Sequence, residues 1–240
     1  MEVRLLRVTA DGESLVSDAV RTSSEIAAMS IETIVDNDYS SVLEHICFTF
    51  SIKGISVACS RELLEHRIAS HTARSTRYCD ETDFKFYEPS LSADALRIYR
   101  EAIESARKAY VSLIELGVSR EEARYVLPLA THTHYIWTVN ARSLINFLSL
   151  RLCIRASPEM RELALQIYKI CCEKYPRIFK RIYCRGVTLG VCPENNARPK
   201  ECPFREIIKT KSEMMKSGIL ENLKSSQNEG SEQKEGMDKR

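Results

Sequence analysis

The strongest constraint on the fold is a strict alternation of polar and apolar residues at positions 44–52, EHICFTFSI. Every second side chain is apolar: Ile46, Phe48, Phe50 and Ile52. Successive side chains of a β-strand point to opposite faces of the sheet, so this spacing predicts a strand with one buried face. Gly54 is expected to end the strand.

Weaker strand patterns stand elsewhere in the chain. Residues 2–9 and 83–87 have short apolar alternations, and 129–139 is rich in threonine and aromatic residues, which favours an extended segment. We expect 83–87 to pair in a hairpin or meander with the strand at 44–52. Residues 69–77 lack apolar periodicity and are expected to form a loop.

Helical spacing of apolar residues accounts for most of the remaining chain. The predicted helices are 23–35 (capped by Ser23 or Ser24), 57–68, 92–116, a short helix from Ser119 to before Leu127-Pro128, 141–153, and 158–175. A small antiparallel sheet with surrounding helices is therefore the expected architecture, which is of the α+β class.

Composition limits the classes of protein that remain. The 240 residues suit one domain, predicted at 1–205, followed by a flexible, charged tail at 206–240 that has at most a fraying helix at 206–223. A net charge of +2 argues against a protein that coats nucleic acid, and no apolar run is long enough to span a membrane. Nine scattered cysteines and the lack of a signal pattern predict reduced thiols and a cytoplasmic protein.

The densest group of cations and hydroxyls lies at 59–80, CSRELLEHRIASHTARSTRYCD. Arginine forks match phosphate oxygens and hydroxyl groups complete the shell, so this stretch is suited to an anionic ligand. The alternative is a solvated basic segment that binds nothing.

Other candidate sites are weaker. His132 and His134 lie two apart on the extended segment and could share a face, but no third ligand stands at a metal-site spacing. Cys184, Cys192 and Cys202 lack a CxxC pairing, so free thiols are expected there, with a structural zinc site as the alternative. The sequence contains no GxGxxG motif, no P-loop and no GxSxG nucleophile elbow.

Polar residues on the predicted helix 141–153 are more informative. Asn140 can cap the helix, and Arg142 and Arg151 are nine residues apart, so they face nearly opposite sides. Together with Asn146, these groups need partners on an otherwise apolar helix. They serve ligands or another subunit, or else they form salt bridges within the chain.

Two segments together resemble the flavin-dependent thymidylate synthase family. Its signature is Arg-His-Arg, seven residues and Ser, and this chain has Glu65-His66-Arg67, seven residues and Ser75. The second segment, EEARYVLPLATHTHYIWTVNARSLINFLSLRL, is similar to the family's other landmark region almost throughout. The resemblance extends over roughly residues 1–185.

The resemblance implies an enzyme that uses FAD, NADPH and methylenetetrahydrofolate to methylate dUMP to dTMP, as a homotetramer with sites shared between subunits. The positions that match the FAD contacts are Ser41, Glu65, His66, Arg67, Asn140, Arg142 and Asn146. Those that match the dUMP contacts are Glu62, Ser75, Thr76, Arg77, Arg124 and Arg151. The family role of Arg151 is catalytic, because a permanent cation beside the uracil ring stabilises a developing anion. Glu121 matches a family carboxylate near the same site.

Four positions depart from the family pattern. Glu65 replaces the first signature arginine, Glu62 replaces a glutamine, Ala73 replaces Glu or Gln, and Tyr39 stands where histidine is frequent. A carboxylate near a phosphate repels it, unless the carboxylate pairs with a neighbouring arginine. The alternatives are therefore a paralogue that methylates another pyrimidine nucleotide or is inactive, and a non-enzymatic scaffold that binds nucleic acid.

Overall fold

A four-stranded antiparallel sheet forms the centre of the computed structural model, which describes residues 1–23 and 29–216. Its strands are β1 (Glu2–Val8), β2 (Cys47–Ser56), β3 (Ala69–Ala73) and β4 (His132–Asn140). The spatial order is β1-β2-β4-β3, so β2 and β4 are the inner strands. The predicted α+β class, a small antiparallel sheet with surrounding helices, is confirmed.

The two inner strands supply the apolar core of the sheet. Phe48 and Phe50 of β2 are fully buried, as the alternation predicts. On β4, Trp137 is opposite Phe50 in the register, and the two rings are 6.2 Å apart. Gly54 does not end the strand, because its positive φ of 70° is accommodated where the register slips between Lys53 and Ile55.

Helices surround this sheet. They are α1 (Gly12–Ser23), α2 (Ile31–Asp36), α3 (Val57–Leu64), α4 (Ala93–Glu115), α5 (Arg120–Ala123), α6 (Ala141–Arg151), α7 (Pro158–Lys174), α8 (Pro176–Phe179), α9 (Arg185–Thr188) and α10 (Lys211–Lys216). Short 3-10 helices lie at Ser40–His45, Arg124–Val126 and Asn195–Ala197. The long helix α4 begins after Ser92, whose hydroxyl accepts from the amide of Ala95.

Two of the predicted strand and loop assignments are wrong. The segment expected to be a loop contains β3, which pairs with β4 at the sheet edge. An edge strand needs only backbone partners on one side, so it can lack apolar alternation. The segment 83–87 is not a strand, since only Phe86 forms a single bridge, to Thr131.

The predictions for the first helices also need correction. Helix α1 was not predicted, although Val16 and Val20, four residues apart, form its buried side. Of the predicted helix at 23–35, residues 24–28 lie outside the described part of the chain, and Ser30 is the cap of α2. The helix predicted at 57–68 ends at Leu64.

A buried carboxylate on α7 connects that helix to the start of α3. Glu159, in the first turn of α7, accepts hydrogen bonds from the amide and the hydroxyl of Ser56, each 2.6 Å long. The same hydroxyl accepts from the amide of Cys59 and so caps α3. Because α3 leads directly into Glu65-His66-Arg67, this link fixes the start of the signature segment.

The chain forms two compact units. The first comprises Met1–Phe147 and Pro158–Arg181 and contains the sheet. The second comprises Leu148–Ser157 and Ile182–Arg240, of which residues 182–216 are described. The predicted tail falls in the second unit; α10 lies within it, and its residues beyond 216 lie outside the described part. Among the helices described, none is long and apolar enough to cross a membrane.

Candidate functional site

Three of the seven predicted FAD residues, Asn140, Arg142 and Asn146, lie at the start of α6 or in its first half. Asn140 ends β4, and its side-chain oxygen accepts from the amide of Ser143 at 2.9 Å, which caps the helix as predicted. The amide of Ala141 donates to the carbonyl oxygen of Ile46 at 2.7 Å, so the helix begins directly at the sheet. Arg142 and Asn146 are both exposed and lie one turn apart, on one face of α6.

An ion pair connects α6 to the turn that contains Ser41. A guanidinium nitrogen of Arg142 lies 2.6 Å from a carboxylate oxygen of Glu44, and both side chains are about half exposed. Ser41 is exposed on the same 3-10 turn as Glu44. The structure therefore places Ser41 on an element joined to Arg142.

The signature segment approaches α6 from the end of α3. The ring of His66 packs edge-on against Phe147, with 4.8 Å between ring centroids. Its backbone carbonyl lies 3.1 Å from a ring nitrogen of His71 on β3. His66 is thus in contact with α6 through its side chain and with the sheet edge through its backbone.

The two acidic residues that depart from the family pattern, Glu62 and Glu65, lie on α3 and at its C-terminal end. Glu65 lies 3.6 Å from Arg67, and both side chains are well exposed. The carboxylate that replaces the first signature arginine is therefore paired with the second one. Glu62 lies on α3 and is half-buried.

The predicted dUMP residues gather around a turn at 75–79. The amides of Tyr78 and Cys79 donate to the carbonyl oxygen of Ser75, and the amide of Arg77 donates to its hydroxyl at 3.4 Å. Thr76 is half-buried within the turn. Ser75, Thr76 and Arg77 are consequently held in one compact loop.

Helix α5 and the 3-10 turn after it bring a second arginine to this loop. Arg77 binds the carboxylate of Glu121 at 2.9 Å, and Arg124 donates to the backbone carbonyl of Glu121 at 3.1 Å. Two guanidinium groups therefore meet at one residue beside the Ser75 turn. An anionic ligand could replace the exposed carboxylate as a partner of Arg77, because an exposed ion pair contributes little stability.

Arg151 is the last residue of α6 and is half-buried. It belongs to the second compact unit, whereas the other predicted site residues belong to the first. The structure thus links Ser41 and His66, of the residues predicted to bind FAD, to α6 through Glu44 and Phe147, and it places most of those predicted to bind dUMP around the Ser75 turn.

The two histidines on β4, His132 and His134, are partly buried in the sheet. A ring nitrogen of His134 lies 3.0 Å from the hydroxyl of Ser51, on the neighbouring strand. Burial lowers the pKa of His132, and burial with the charges of Lys53 and Arg4 lowers the pKa of His134. Across residues 1–23 and 29–216, no group of three or more His, Cys, Asp or Glu side chains is arranged to hold a metal ion.

The lowered pKa values of His132 and His134 predict that the fold is less stable in acid. A lowered pKa in the folded state means that the unfolded chain binds more protons below the ordinary histidine pKa of 6.5. The free energy of unfolding is therefore expected to be undiminished above pH 6.5 and to fall as the pH decreases below it. In urea titrations at pH 7.5 and 5.5, His134→Gln should show a smaller pH difference than the unmodified chain. An equal difference in both would contradict this origin of the acid sensitivity.

Several residues that shape the site have no sequence signal of their own. Glu44 is 98 positions from Arg142, and Arg120 donates to the backbone carbonyl of Tyr78 across 42 positions. Arg74, within the basic stretch, binds the buried carboxylate of Glu81 at 2.6 Å. Only this last pair, seven residues apart, is close enough in the chain to be suggested by charge pattern.

Comparison with known proteins identifies similar chains. A family model described as "Thymidylate synthase complementing protein" matches residues 4–177. A protein of Saccharolobus solfataricus named flavin-dependent thymidylate synthase is 38% identical over 198 residues, which cover 75% of this chain and 76% of the relative. Proteins of the same name from Geobacter sulfurreducens and Pyrococcus furiosus are 37% and 34% identical. These two matches cover 81% and 80% of this chain, and 91% and 83% of the relatives.

Proposed function

This chain belongs to the flavin-dependent thymidylate synthase family, and from that premise we propose that it converts dUMP to dTMP. Methylenetetrahydrofolate provides the carbon, and NADPH provides the electrons through FAD. The family match over residues 4–177 carries this proposal. The meeting of Arg77 and Arg124 at Glu121, beside the Ser75 turn, supports it, since a nucleotide phosphate needs such a group of donors.

The FAD set fits a cofactor with an anionic pyrophosphate. Arg67 and Arg142 have side chains that are 84% and 52% exposed, and guanidinium groups bind phosphate oxygens with two donors at once. Ser41, Asn140, Asn146 and His66 add polar groups around α6, and Glu65 stands beside Arg67. When FAD is bound and reduced, it supplies the hydride that completes the new methyl group.

The residues proposed to bind dUMP contact two ends of the nucleotide, the phosphate and the uracil ring. Ser75, Thr76, Arg77 and Arg124 hold the phosphate. Arg151 lies against the uracil ring and stabilises the negative charge that develops when C5 becomes nucleophilic. Glu62 completes the set at the position where the family has glutamine.

We further infer a homotetramer that acts in the cytoplasm. Large apolar side chains are exposed on the described chain, among them Ile98 (60%), Leu116 (81%), Tyr125 (80%) and Leu129 (66%). Subunit contacts would bury such side chains. All nine cysteines are free thiols, which suits a reducing compartment. Light scattering should give the mass of four chains, and a monomer at micromolar concentration would contradict the assembly.

The decisive experiment follows tritium release from C5-labelled dUMP. With FAD, NADPH and methylenetetrahydrofolate present, the purified protein should release tritium and form dTMP in equal amounts. It should be yellow, and NADPH should bleach its flavin absorbance. Omitting the folate should stop dTMP formation but leave the bleaching intact. A colourless protein that takes up no FAD would refute the proposed function, and a flavoprotein that leaves dUMP unchanged would indicate the divergent paralogue instead.

A further inference from the structure

The loop that presents Ser75, Thr76 and Arg77 is closed at its base by an ion pair. The Nε atom of Arg74 lies 2.6 Å from a carboxylate oxygen of Glu81, and a second guanidinium nitrogen donates to the carbonyl oxygen of Asp80 at 2.9 Å. The side chain of Glu81 is only 5% exposed. This is therefore a largely desolvated carboxylate that binds across the two ends of one loop.

The backbone of Arg74 is held as firmly as its side chain. Its amide donates to the carbonyl oxygen of His134 at 2.8 Å, so it continues the pairing of β3 with β4 beyond the last strand residue. Its guanidinium thus connects the sheet edge directly to the far end of the loop. Glu81 in turn raises the pKa of Arg74, so the cation persists at every working pH.

Two further arginines fasten this loop and the segment that follows it, each through a backbone carbonyl oxygen. Arg120, at the start of α5, donates to Tyr78 at 3.1 Å. Arg107 of α4 donates to the carbonyl oxygen of Phe84 at 2.7 Å, and its guanidinium lies 4.4 Å from the centre of the Phe84 ring. The loop is therefore tied to the sheet and to α5, and the segment that follows it is tied to α4.

We propose that Arg74 and Glu81 are positioning residues, which hold the Ser75–Arg77 turn in the shape that receives the dUMP phosphate. The inference rests on the proposed function for the identity of the anion. A loop that is already ordered loses less conformational entropy when the ligand binds, so more of the interaction energy contributes to affinity. Only the carboxylate of the pair is buried, since the Arg74 side chain is 39% exposed. Desolvation of Glu81 offsets much of the attraction, so the value of the pair here lies in the geometry that it imposes.

The test compares Arg74→Gln and Glu81→Gln with two reference variants. Arg74→Lys retains the cation and should recover part of the effect. Arg100→Gln is the matched control, because Arg100 forms a comparable pair with Glu88, at 2.6 and 2.8 Å, outside this loop. All variants are assayed as FAD-loaded full chains.

The expected result distinguishes a positioning role from a general loss of structure. Arg74→Gln and Glu81→Gln should raise the KM and the Kd for dUMP about tenfold, which corresponds to roughly 1.4 kcal/mol of lost preorganisation. The kcat and the FAD content should stay near those of the unmodified chain, and Arg100→Gln should match that chain in every respect. Hydrogen exchange at the amides of Tyr78 and Cys79, which bond to Ser75, should accelerate in the first two variants alone.

Two outcomes would overturn the proposal. One is unchanged exchange at Tyr78 and Cys79 in both Gln variants, since the pair would then not order the loop. The other is faster exchange with an unchanged Kd for dUMP, since the order would then not serve binding. If the unmodified chain itself binds no dUMP, the proposed function fails, and the exchange measurement still decides whether Arg74 and Glu81 order the loop.

Discussion

Replacing Arg151 by alanine is expected to abolish dTMP formation while the purified protein keeps its FAD. The proposed reason is electrostatic: Arg151, placed beside the uracil ring by the proposed function, would stabilise charge that exists only after the ring is activated. Loss of one preorganised group of this kind lowers kcat by about 10²–10³-fold in enzymes that stabilise an oxyanion. Tritium release from C5-labelled dUMP measures the loss, and flavin absorbance measures the retained cofactor.

Arg155→Ala is the matched control for this substitution. Arg155 lies four residues later in the same compact unit, where it pairs with Glu194 at 3.3 Å and donates to the carbonyl oxygen of Ala197 at 3.1 Å. Its removal should reveal how much structural disturbance alone reduces turnover. Full synthesis by Arg151→Ala would refute the catalytic role. Equal losses in both variants, or loss of FAD together with turnover, would assign Arg151 to structure.

Sequence periodicity identified β2 most clearly, because one face of this strand is fully buried. β2 and β4 bury Phe50 and Trp137 against each other. Alternation made β2 recognisable, whereas the content of threonine and aromatic residues indicated β4. β3 was missed because its partner atoms belong to the backbone of β4, and backbone hydrogen bonding leaves no mark on the residue types of an edge strand. The helix starts were predicted best at α6, which Asn140 caps, and at α7, which begins at Pro158.

The candidate site shows a similar division. Motif spacing identified His66, Arg67 and Ser75, and the structure holds them in two separate groups. Motif spacing could not show which carboxylates pair with the arginines, since Glu44 is 98 positions from Arg142 and Glu121 is 44 positions from Arg77. Only the family resemblance indicated that Glu121 lies near the site. The pairing of Glu65 with Arg67 was an open alternative at the sequence level, because the two residues are close enough to pair in several backbone conformations. Its presence means that an anionic ligand at Arg67 competes with a carboxylate of the same segment.

A second large effect is expected at Glu159, which no sequence motif singled out. Its carboxylate is buried and accepts two hydrogen bonds from Ser56, each 2.6 Å long. Hydrogen bonds to a charged group contribute about 1.5–3 kcal/mol each, and a buried amide left without a partner costs about 1–3 kcal/mol. Glu159→Ala should therefore lower the free energy of unfolding by about 3–5 kcal/mol, measured by urea titration.

Glu162→Ala provides the control on the same helix. Glu162 is exposed, and its carboxylate accepts a hydrogen bond from the side-chain amide of Gln166 at 2.8 Å, the one partner seen for it in the described chain. Its loss should therefore change the free energy of unfolding by about 0.5 kcal/mol or less. Glu159→Gln keeps one acceptor oxygen and should lie between the two. Because Ser56 caps α3, and α3 leads into Glu65-His66-Arg67, the Glu159→Ala protein should also bind FAD more weakly at temperatures where it remains folded. Equal stability of Glu159→Ala and Glu162→Ala would show that the buried carboxylate does not anchor α3.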